Sequence, residues 1–250
     1  MIIGGLIKTS LVDYPGKISA IIFTKGCSFA CRFCYNPLLV RPDKTVSETS
    51  LNTEGHLRKS GEESSPALIS VDDLFLFLKK RAEQLDAVVI TGGEPTIHYD
   101  LPVFIKRIRD LGYKIKLDTN GTNPQMLKRL LTEGLIDYLA MDLKGPESKY
   151  SQITGVAVDF KKIKESVKII MESNRPYEFR TTIVPGLLEF KDIALMGQII
   201  QGADKWYLQK FKSDTALVDK DLEGQKAYTD KEMIRMVKGG QKYVKLCEGR

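Results

Sequence analysis

The sequence contains few of the residues that mark several common protein classes. Its 250 residues include only two histidines, one tryptophan and four cysteines. No hydrophobic run approaches the ~18 residues needed to cross a bilayer, so no transmembrane helix is predicted. The first residues, Met1–Ile7, have no basic leader and are too short for the core of a signal peptide. We therefore expect a cytoplasmic protein with no membrane partner.

The charge balance is mildly basic. Lysine and arginine total 38 residues against 32 aspartates and glutamates, which gives a formal net charge of +6. No dense block of basic residues occurs, so this charge does not indicate nucleic-acid binding. It is compatible with an acidic protein partner and also with an ordinary solvated surface.

Short β-branched runs alternate with longer segments of helical periodicity. The predicted strands are Lys17–Thr24, Ala87–Thr91, Lys114–Thr119, Asp137–Asp142, Tyr177–Val184 and Lys205–Phe211. The predicted helices are Ser70–Gln84, Leu101–Leu111, Pro124–Glu133, Phe160–Ser173, Phe190–Ile200 and Thr229–Val237. This alternation predicts a single α/β domain over residues 1–250, with parallel strands and outer helices. Six units are too few for a closed eight-unit barrel, which favours a partial (β/α)6 barrel; a doubly wound sheet is the alternative.

Residues 41–66 differ in composition from the rest of the chain. The segment holds five serines and four glutamates but few aliphatic residues. It predicts a mobile surface insertion after the first strand, with a partner-binding lid as the alternative. His56 lies in this segment and is expected to be exposed rather than to act as a ligand.

Three of the four cysteines lie within eight residues, directly after the first predicted strand. Cys27, Cys31 and Cys34 have the spacing C-x3-C-x2-C. Clustered cysteines in a cytosolic chain are more often metal ligands than disulfides. A four-iron cluster usually takes four cysteines, so three would leave one iron open to a small molecule. The alternative is a structural zinc site with Cys247 as the fourth ligand.

The cysteine motif, with aromatic Phe33 before its last cysteine, resembles the signature of the radical SAM superfamily. The resemblance implies a [4Fe-4S] cluster held by the three cysteines and S-adenosylmethionine (SAM) chelated to the open iron. It also implies a partial barrel of the radical SAM type. One-electron reduction of SAM would release a 5′-deoxyadenosyl radical that abstracts a hydrogen atom. The protein would supply position and exclusion of water.

A second segment matches this superfamily at the end of the second predicted strand. Gly92, Gly93 and Glu94 resemble the GGE motif, which contacts the methionine amino group of SAM. Glycines allow a backbone to approach a ligand closely, and a glutamate can pair with an ammonium group.

Polar residues also follow the third, fourth and fifth predicted strands, where α/β barrels build their sites. These segments resemble the activating enzymes of glycyl radical enzymes. The resemblance places Asp118 in the SAM pocket, where it would help to hold a monovalent cation. It assigns weaker roles in the same pocket to Asn120, Asp142, Lys144 and Arg180. Strand-end capping and ordinary charge pairing are the alternative for these four residues.

The segment Ser10–Lys17 resembles the corresponding part of the activating proteins of anaerobic ribonucleoside-triphosphate reductases. Pyruvate formate-lyase activating enzyme carries a related motif there, with an aspartate near the bound glycine loop. By that match Asp13 would position the partner's backbone; a Pro-Gly turn is the alternative. The lyase activase also has a histidine near its last site strand, where this chain has Leu208-Gln209-Lys210. That difference puts a SAM contact from this strand in doubt.

The sequence therefore predicts a radical SAM activase that generates a glycyl radical on a partner enzyme, with an anaerobic ribonucleotide reductase as the expected target. The basic charge is compatible with flavodoxin or ferredoxin as electron donor. The alternatives are a radical SAM enzyme acting on a small molecule or nucleobase, such as a deazapurine precursor or RNA, and a non-enzymatic zinc module. Cys247, His98 and Trp206 are expected to have no part in the chemistry, although His98 could border the pocket.

Overall fold

The computed structural model describes residues 1–40 and 68–250. The predicted insertion at residues 41–66, with His56, lies outside the described residues. Within the described part, no helix is long and apolar enough to cross a membrane.

The described residues form one eight-stranded sheet. Its strands are β1 (Ile3–Ser10), β2 (Ser19–Thr24), β3 (Ala87–Gly92), β4 (Lys114–Thr119), β5 (Tyr138–Asp142), β6 (Tyr177–Ile183), β7 (Lys205–Lys210) and β8 (Leu246–Gly249). Strands β2 to β7 correspond to the six predicted strands. The strands β1 and β8 were not predicted, because β1 holds two adjacent glycines and β8 has only four residues.

The strand order follows the chain from β1 to β8 without reversal. Strand β1 runs antiparallel to β2, with Leu6 opposite Ile22, and all later neighbours are parallel. A doubly wound sheet would reverse its order at a switch point, so that alternative is wrong. Because β1 and β8 are not neighbours, the sheet is an open barrel, as predicted, with a seventh parallel strand.

Helices connect the parallel strands. In the described chain they are α1 (Pro37–Val40), α2 (Val71–Arg81), α3 (Leu101–Arg109), α4 (Pro124–Thr132), α5 (Tyr150–Thr154), α6 (Phe160–Met171), α7 (Phe190–Ile199) and α8 (Asp230–Gly240). The predicted N-cap Ser70 accepts a hydrogen bond from the Asp73 backbone, and Thr229 forms a capping box with Glu232. The short helices α1 and α5 were not predicted. Three short 3₁₀ helices lie at Pro95–Ile97, Glu147–Lys149 and Lys220–Leu222.

Alternate residues of each strand face two different environments. Val88 and Ile90 of β3 pack into the main core beneath the helices. Ala87 and Val89 of the same strand belong to a smaller apolar cluster with Tyr14. Burial on both faces explains why the central strands read as nearly continuous hydrophobic runs.

Candidate active site

The carboxyl ends of strands β2 to β7 surround a single cavity of about 340 Å³. Each of these strands contributes at least one lining residue, which shows that the sheet curls around the cavity. They include Phe23, Thr91, Asp118, Asp142, Arg180 and Gln209, one from each strand in order. The three clustered cysteines line the same cavity, as do Phe33, Gly92, Gly93, Glu94, Asn120, Lys144 and Asp13. The twelve predicted site residues and Asp13 therefore all line one cavity.

The loop that carries the cysteines begins where β2 ends and is docked onto α5. The backbone NH of Ala30 donates to the carbonyl of Thr154 at 2.9 Å, and that of Arg32 donates to Ile153 at 3.2 Å. The ring of Phe29 packs edge-on against Tyr150, with 6.0 Å between centroids. The short helix α5 thus fixes the path of the cysteine loop.

A second support for this loop comes from the segment after β7. The guanidinium Nε of Arg32 lies 2.6 Å from the Asp219 carboxylate, and the Asp219 backbone NH donates to the carbonyl of Arg32 at 2.9 Å. The hydroxyl of Tyr35 accepts a 3.0 Å hydrogen bond from the backbone NH of Lys212. Residues 212–219 therefore give the cysteine loop a second attachment, separate from the one to α5.

The three cysteines are free thiols on one wall of the cavity. Burial raises the pKa of Cys27 to about 12 and that of Cys31 to about 11, and it also raises the pKa of Cys34. Iron binds cysteines as thiolates, so a cluster held by these residues would displace their protons.

In the described ranges, no group of three or more His, Cys, Asp or Glu side chains is placed to hold a single metal ion. A four-iron cluster distributes its thiolate ligands over separate iron atoms, so this finding concerns single-ion sites. Three thiols lining one cavity fit the donor set of a four-iron cluster with one open iron. The predicted fourth zinc ligand, Cys247, is buried on β8 opposite Trp206 and does not line the cavity.

The glycines of the Gly-Gly-Glu segment have a packing role that the sequence did not show. A side-chain carbon on Gly93 would lie 1.9 Å from the carbonyl oxygen of Gly26, and one on Gly92 would lie 2.4 Å from the backbone nitrogen of Thr24. Gly92 also has a φ of 111°, a backbone conformation that residues other than glycine rarely adopt. These glycines therefore let the loop after β3 lie directly against the start of the cysteine loop.

Glu94 is buried and linked to two strand ends. One carboxylate oxygen accepts hydrogen bonds from the Thr96 backbone NH and hydroxyl and, at 2.8 Å, from the Thr119 hydroxyl. The other accepts a 2.6 Å bond from the Asn120 backbone NH. Burial raises the pKa of Glu94, and these donors oppose the rise. Among the described residues this second oxygen has one hydrogen-bond partner, so it retains capacity for a ligand ammonium group.

Five charged side chains form a continuous chain along the inside of the barrel. Lys116 lies 2.7 Å from Asp118, and Arg180 donates to Asp118 and to Asp142 at 2.9 Å each. Lys144 completes the chain at 3.0 Å from Asp142. Burial opposes ionisation of both aspartates, but the neighbouring cations outweigh it and hold their pKa values below the usual range. The carboxylates also raise the pKa of Lys144 and of Arg180 against the effect of burial.

Lys144 and Asn120 both reach the cysteine loop. The Lys144 ammonium lies 5.7 Å from the centre of the Phe33 ring, within the range of a cation–π interaction. The amide of Asn120 lies 3.8 Å from the Cys27 sulfur and 3.0 Å from the Ser28 hydroxyl. Residues that follow β4 and β5 thus contact the same wall as the thiols.

Asp13 reaches the cavity from the other end of the barrel. It lies on the β1–β2 connection, before β2 begins, whereas the cysteines follow the end of β2. The backbone NH of Lys17 donates to the carbonyl of Tyr14, and Gly16 has a φ of 70°, so the predicted Pro-Gly turn is present. The turn and the exposure of Asp13 to the cavity coexist, so the two interpretations are not alternatives.

The remaining predicted residues lie away from the thiols. Trp206 is fully buried and donates to the Thr181 hydroxyl at 3.0 Å, as expected of a packing residue. His98 is half-buried after a 3₁₀ helix and does not line the cavity. Sequence reasoning missed Lys116 and Gln209. Lys116 is two residues from Asp118, and the two-residue period of a strand could have placed both on the same face.

Comparisons with known proteins agree with this geometry. The model of the radical SAM superfamily matches residues 21–194. A candidate glycyl-radical enzyme activating enzyme of Methanocaldococcus jannaschii is 30% identical over 97% of this chain and 93% of its own length. A candidate GTP 3′,8-cyclase of Sulfurisphaera tokodaii is 26% identical over 75% of this chain but only 54% of its own length.

Solved structures show the same fold. SuiB of Streptococcus suis bound to S-adenosylmethionine has a TM-score of 0.61 at 15% identity over 92% of this chain, which spans about half (51%) of SuiB. A domain of a pyruvate-formate lyase-activating enzyme from Bacteroides vulgatus has a TM-score of 0.53 at 17% identity, over 65% of this chain and 97% of that domain.

Radical SAM enzymes use a [4Fe-4S] cluster and SAM, and the thiol wall of this cavity supplies the cysteine ligands that such a cluster requires. The family match covers the cysteine loop, the Gly-Gly-Glu loop and the charged strand ends together. The chain belongs to the radical SAM superfamily.

Proposed function

We propose that this protein activates a glycyl radical enzyme by removing an α-hydrogen atom from a glycine of that partner. The observation that carries the proposal is the position of Asp13, which lines the cavity of the three cysteines from the opposite end of the barrel. When bound, the cluster and SAM supply a one-electron cleavage whose carbon radical can take a hydrogen atom. A partner's backbone bound at Asp13 would lie against the same cavity as the thiols.

Each predicted residue has a role in this proposal. The three cysteines bind three irons, and the Gly92–Glu94 loop holds the methionine amino group through the free capacity of Glu94. Lys144 and Arg180 supply positive charge for the ligand carboxylate, while Asp118 and Asp142 fix those cations in place. Asn120 and Phe33 line the cavity beside the thiols.

The surface next to Asp13 suits a protein substrate. Leu11 and Val12, which precede Asp13, are 72% and 85% exposed. Exposed aliphatic side chains next to a residue that lines a cavity suit contact with a protein partner. A partner loop could bury them while Asp13 accepts hydrogen bonds from the loop's backbone NH groups.

Similarity over the full length favours the activase over a small-molecule enzyme. The activase relative aligns over nearly all of both chains, whereas the cyclase relative has almost half of its length unmatched. The resemblance of Ser10–Lys17 to ribonucleotide reductase activators supports an anaerobic ribonucleotide reductase as the target. The net charge of +6 supports an acidic electron donor such as flavodoxin or ferredoxin.

The test is an anaerobic assay with the cluster-loaded protein. SAM, dithionite and a candidate glycyl radical enzyme are added, 5′-deoxyadenosine is quantified, and the glycyl radical is followed by EPR. We expect a glycyl doublet that depends on SAM and on one partner. Deoxyadenosine without a doublet for any glycyl radical enzyme would overturn the proposal and favour a small-molecule or nucleobase substrate.

A variant at Asp13 tests the proposed contact with the partner. For Asp13→Ala we expect the rate of radical formation on the partner to fall by at least ~10-fold, with a smaller change in the affinity for SAM. Asp110→Ala removes an exposed aspartate at the end of α3 and is the matched control. Equal rates for both variants would remove Asp13 from partner binding.

A further inference from the structure

Lys116 is a buried cation in the middle of the charged chain. Its side chain is 2% exposed and its ammonium lies 2.7 Å from one oxygen of Asp118. Lysine is almost never fully buried unless it is paired. The family resemblance predicts a monovalent metal cation beside this same aspartate, so the position of Lys116 bears on whether such an ion can bind.

The carboxylate oxygens of this region are already shared among three cationic side chains. Lys116 takes one oxygen of Asp118 and Arg180 takes the other. Arg180 takes one oxygen of Asp142 and Lys144 takes the other. Two carboxylates therefore face three fixed cations, which leaves one net positive charge.

A monovalent metal cation does not fit this arrangement. Hard cations are held by oxygen ligands, and each oxygen of the two carboxylates already faces an ammonium or guanidinium group. An added ion would have to displace one of these donors or enter a site of net positive charge, where repulsion in a poorly solvated cavity is strong.

We propose that the Lys116 ammonium takes the place of the monovalent cation beside Asp118. Lys116 is part of the chain, so its charge is present at every salt concentration. The site then needs no K⁺ or Na⁺ to balance Asp118 when SAM binds. The inference rests on the proposed binding of SAM in this cavity.

The first measurement is the affinity of the cluster-loaded protein for SAM, by anaerobic calorimetry in KCl, NaCl or choline chloride of equal ionic strength. We expect dissociation constants that agree within about twofold. A loss of at least ~10-fold in choline would overturn the proposal. Absence of SAM binding in all three salts would instead overturn the proposed function.

The second measurement uses Lys116→Met, which keeps the length of the side chain and removes its charge. We expect SAM affinity at least ~10-fold weaker in choline and restored by KCl, because one oxygen of Asp118 becomes available to K⁺. Lys114→Met removes an exposed lysine two residues away on β4 and should behave as the unsubstituted protein does. A Lys116→Met protein with no response to K⁺ would contradict the role given to Lys116.

A third measurement does not depend on SAM. KCl in place of choline chloride should raise the melting temperature of Lys116→Met by at least ~2 °C and leave that of the unsubstituted protein unchanged. A K⁺-dependent rise in the unsubstituted protein would show a cation site despite Lys116. Should Lys116→Met fail to fold, the two measurements on the unsubstituted protein still decide the question.

Discussion

The carboxylate of Glu94 accepts a 2.6 Å hydrogen bond from the backbone NH of Asn120, which joins the loops after β3 and β4. This bond, with those from Thr96 and Thr119, makes Glu94 a cross-link of the site as well as a candidate ligand for SAM. The glutamate of the Gly-Gly-Glu segment therefore also shapes the cavity.

Glu94→Gln tests this cross-link. The amide nitrogen of glutamine would face a protein donor in either orientation, since both oxygens of Glu94 act as acceptors. We expect unfolding free energy to fall by about 1–3 kcal/mol in a denaturant titration. Glu133→Gln, which alters an exposed pair with Arg129, should change it by less than about 0.5 kcal/mol. Equal effects would show that the buried bonds contribute little.

Arg180→Met should destabilise the protein in a pH-dependent manner. The variant leaves two carboxylates without their shared partner, and we expect a loss of about 3–5 kcal/mol at pH 7. The aspartate pKa values are depressed in the folded protein, so the stabilisation is present above the ordinary aspartate pKa of about 4 and is lost as pH falls below it.

The difference between the two proteins should therefore shrink between about pH 4 and pH 2. Urea titrations at several pH values provide the measurement. A difference that is constant with pH would mean that Arg180 acts through packing rather than charge.

Cys31→Ala tests the cluster ligands. We expect the variant to retain its circular dichroism spectrum but to bind no stable cluster, as measured by iron and sulfide content after reconstitution, and to produce no 5′-deoxyadenosine. Cys247→Ala removes the cysteine on β8 and should keep the iron content of the unsubstituted protein. Retention of the cluster in Cys31→Ala would remove Cys31 from the ligand set.

Two glycine substitutions should have opposite signs. Gly93→Ala would place a carbon 1.9 Å from a backbone oxygen, so we expect a loss of about 3 kcal/mol or more. Gly239→Ala lies in α8, where a side-chain carbon would meet only ordinary contacts near 3.6 Å. It should stabilise the protein by about 0.4–1 kcal/mol by restricting the unfolded chain. Thermal unfolding of both variants checks this contrast.

The sequence was sufficient to predict strands and motif positions where a local hydrophobic pattern is followed directly by a chemical motif. The strands β2 to β7 are strongly apolar, and the cysteine and Gly-Gly-Glu motifs follow the ends of β2 and β3 as expected. The ends of parallel strands meet at one edge of the barrel, so the motifs had to converge.

Features that depend on distant partners were not predictable. Strand β1 forms by pairing with β2, and Asp118 and Asp142 are joined through Arg180, which the distant strand β6 brings to them. Gln209 lines the cavity, so β7, the strand whose contact with SAM was in doubt, does contribute a polar group to the site. The docking of the cysteine loop onto residues 153–154 has no sequence signal, because it uses backbone groups.

The attachment of the cysteine loop to residues 212–219 limits how the cluster site can be transplanted or shortened. The family match ends at residue 194, and a fragment cut there would keep all three clustered cysteines and the Gly-Gly-Glu loop. It would lose Asp219 and Lys212, which hold Arg32 and Tyr35. The cysteine motif therefore cannot be transferred alone. A minimal fragment or chimera designed around it must include the chain beyond β7 to retain the shape of the loop.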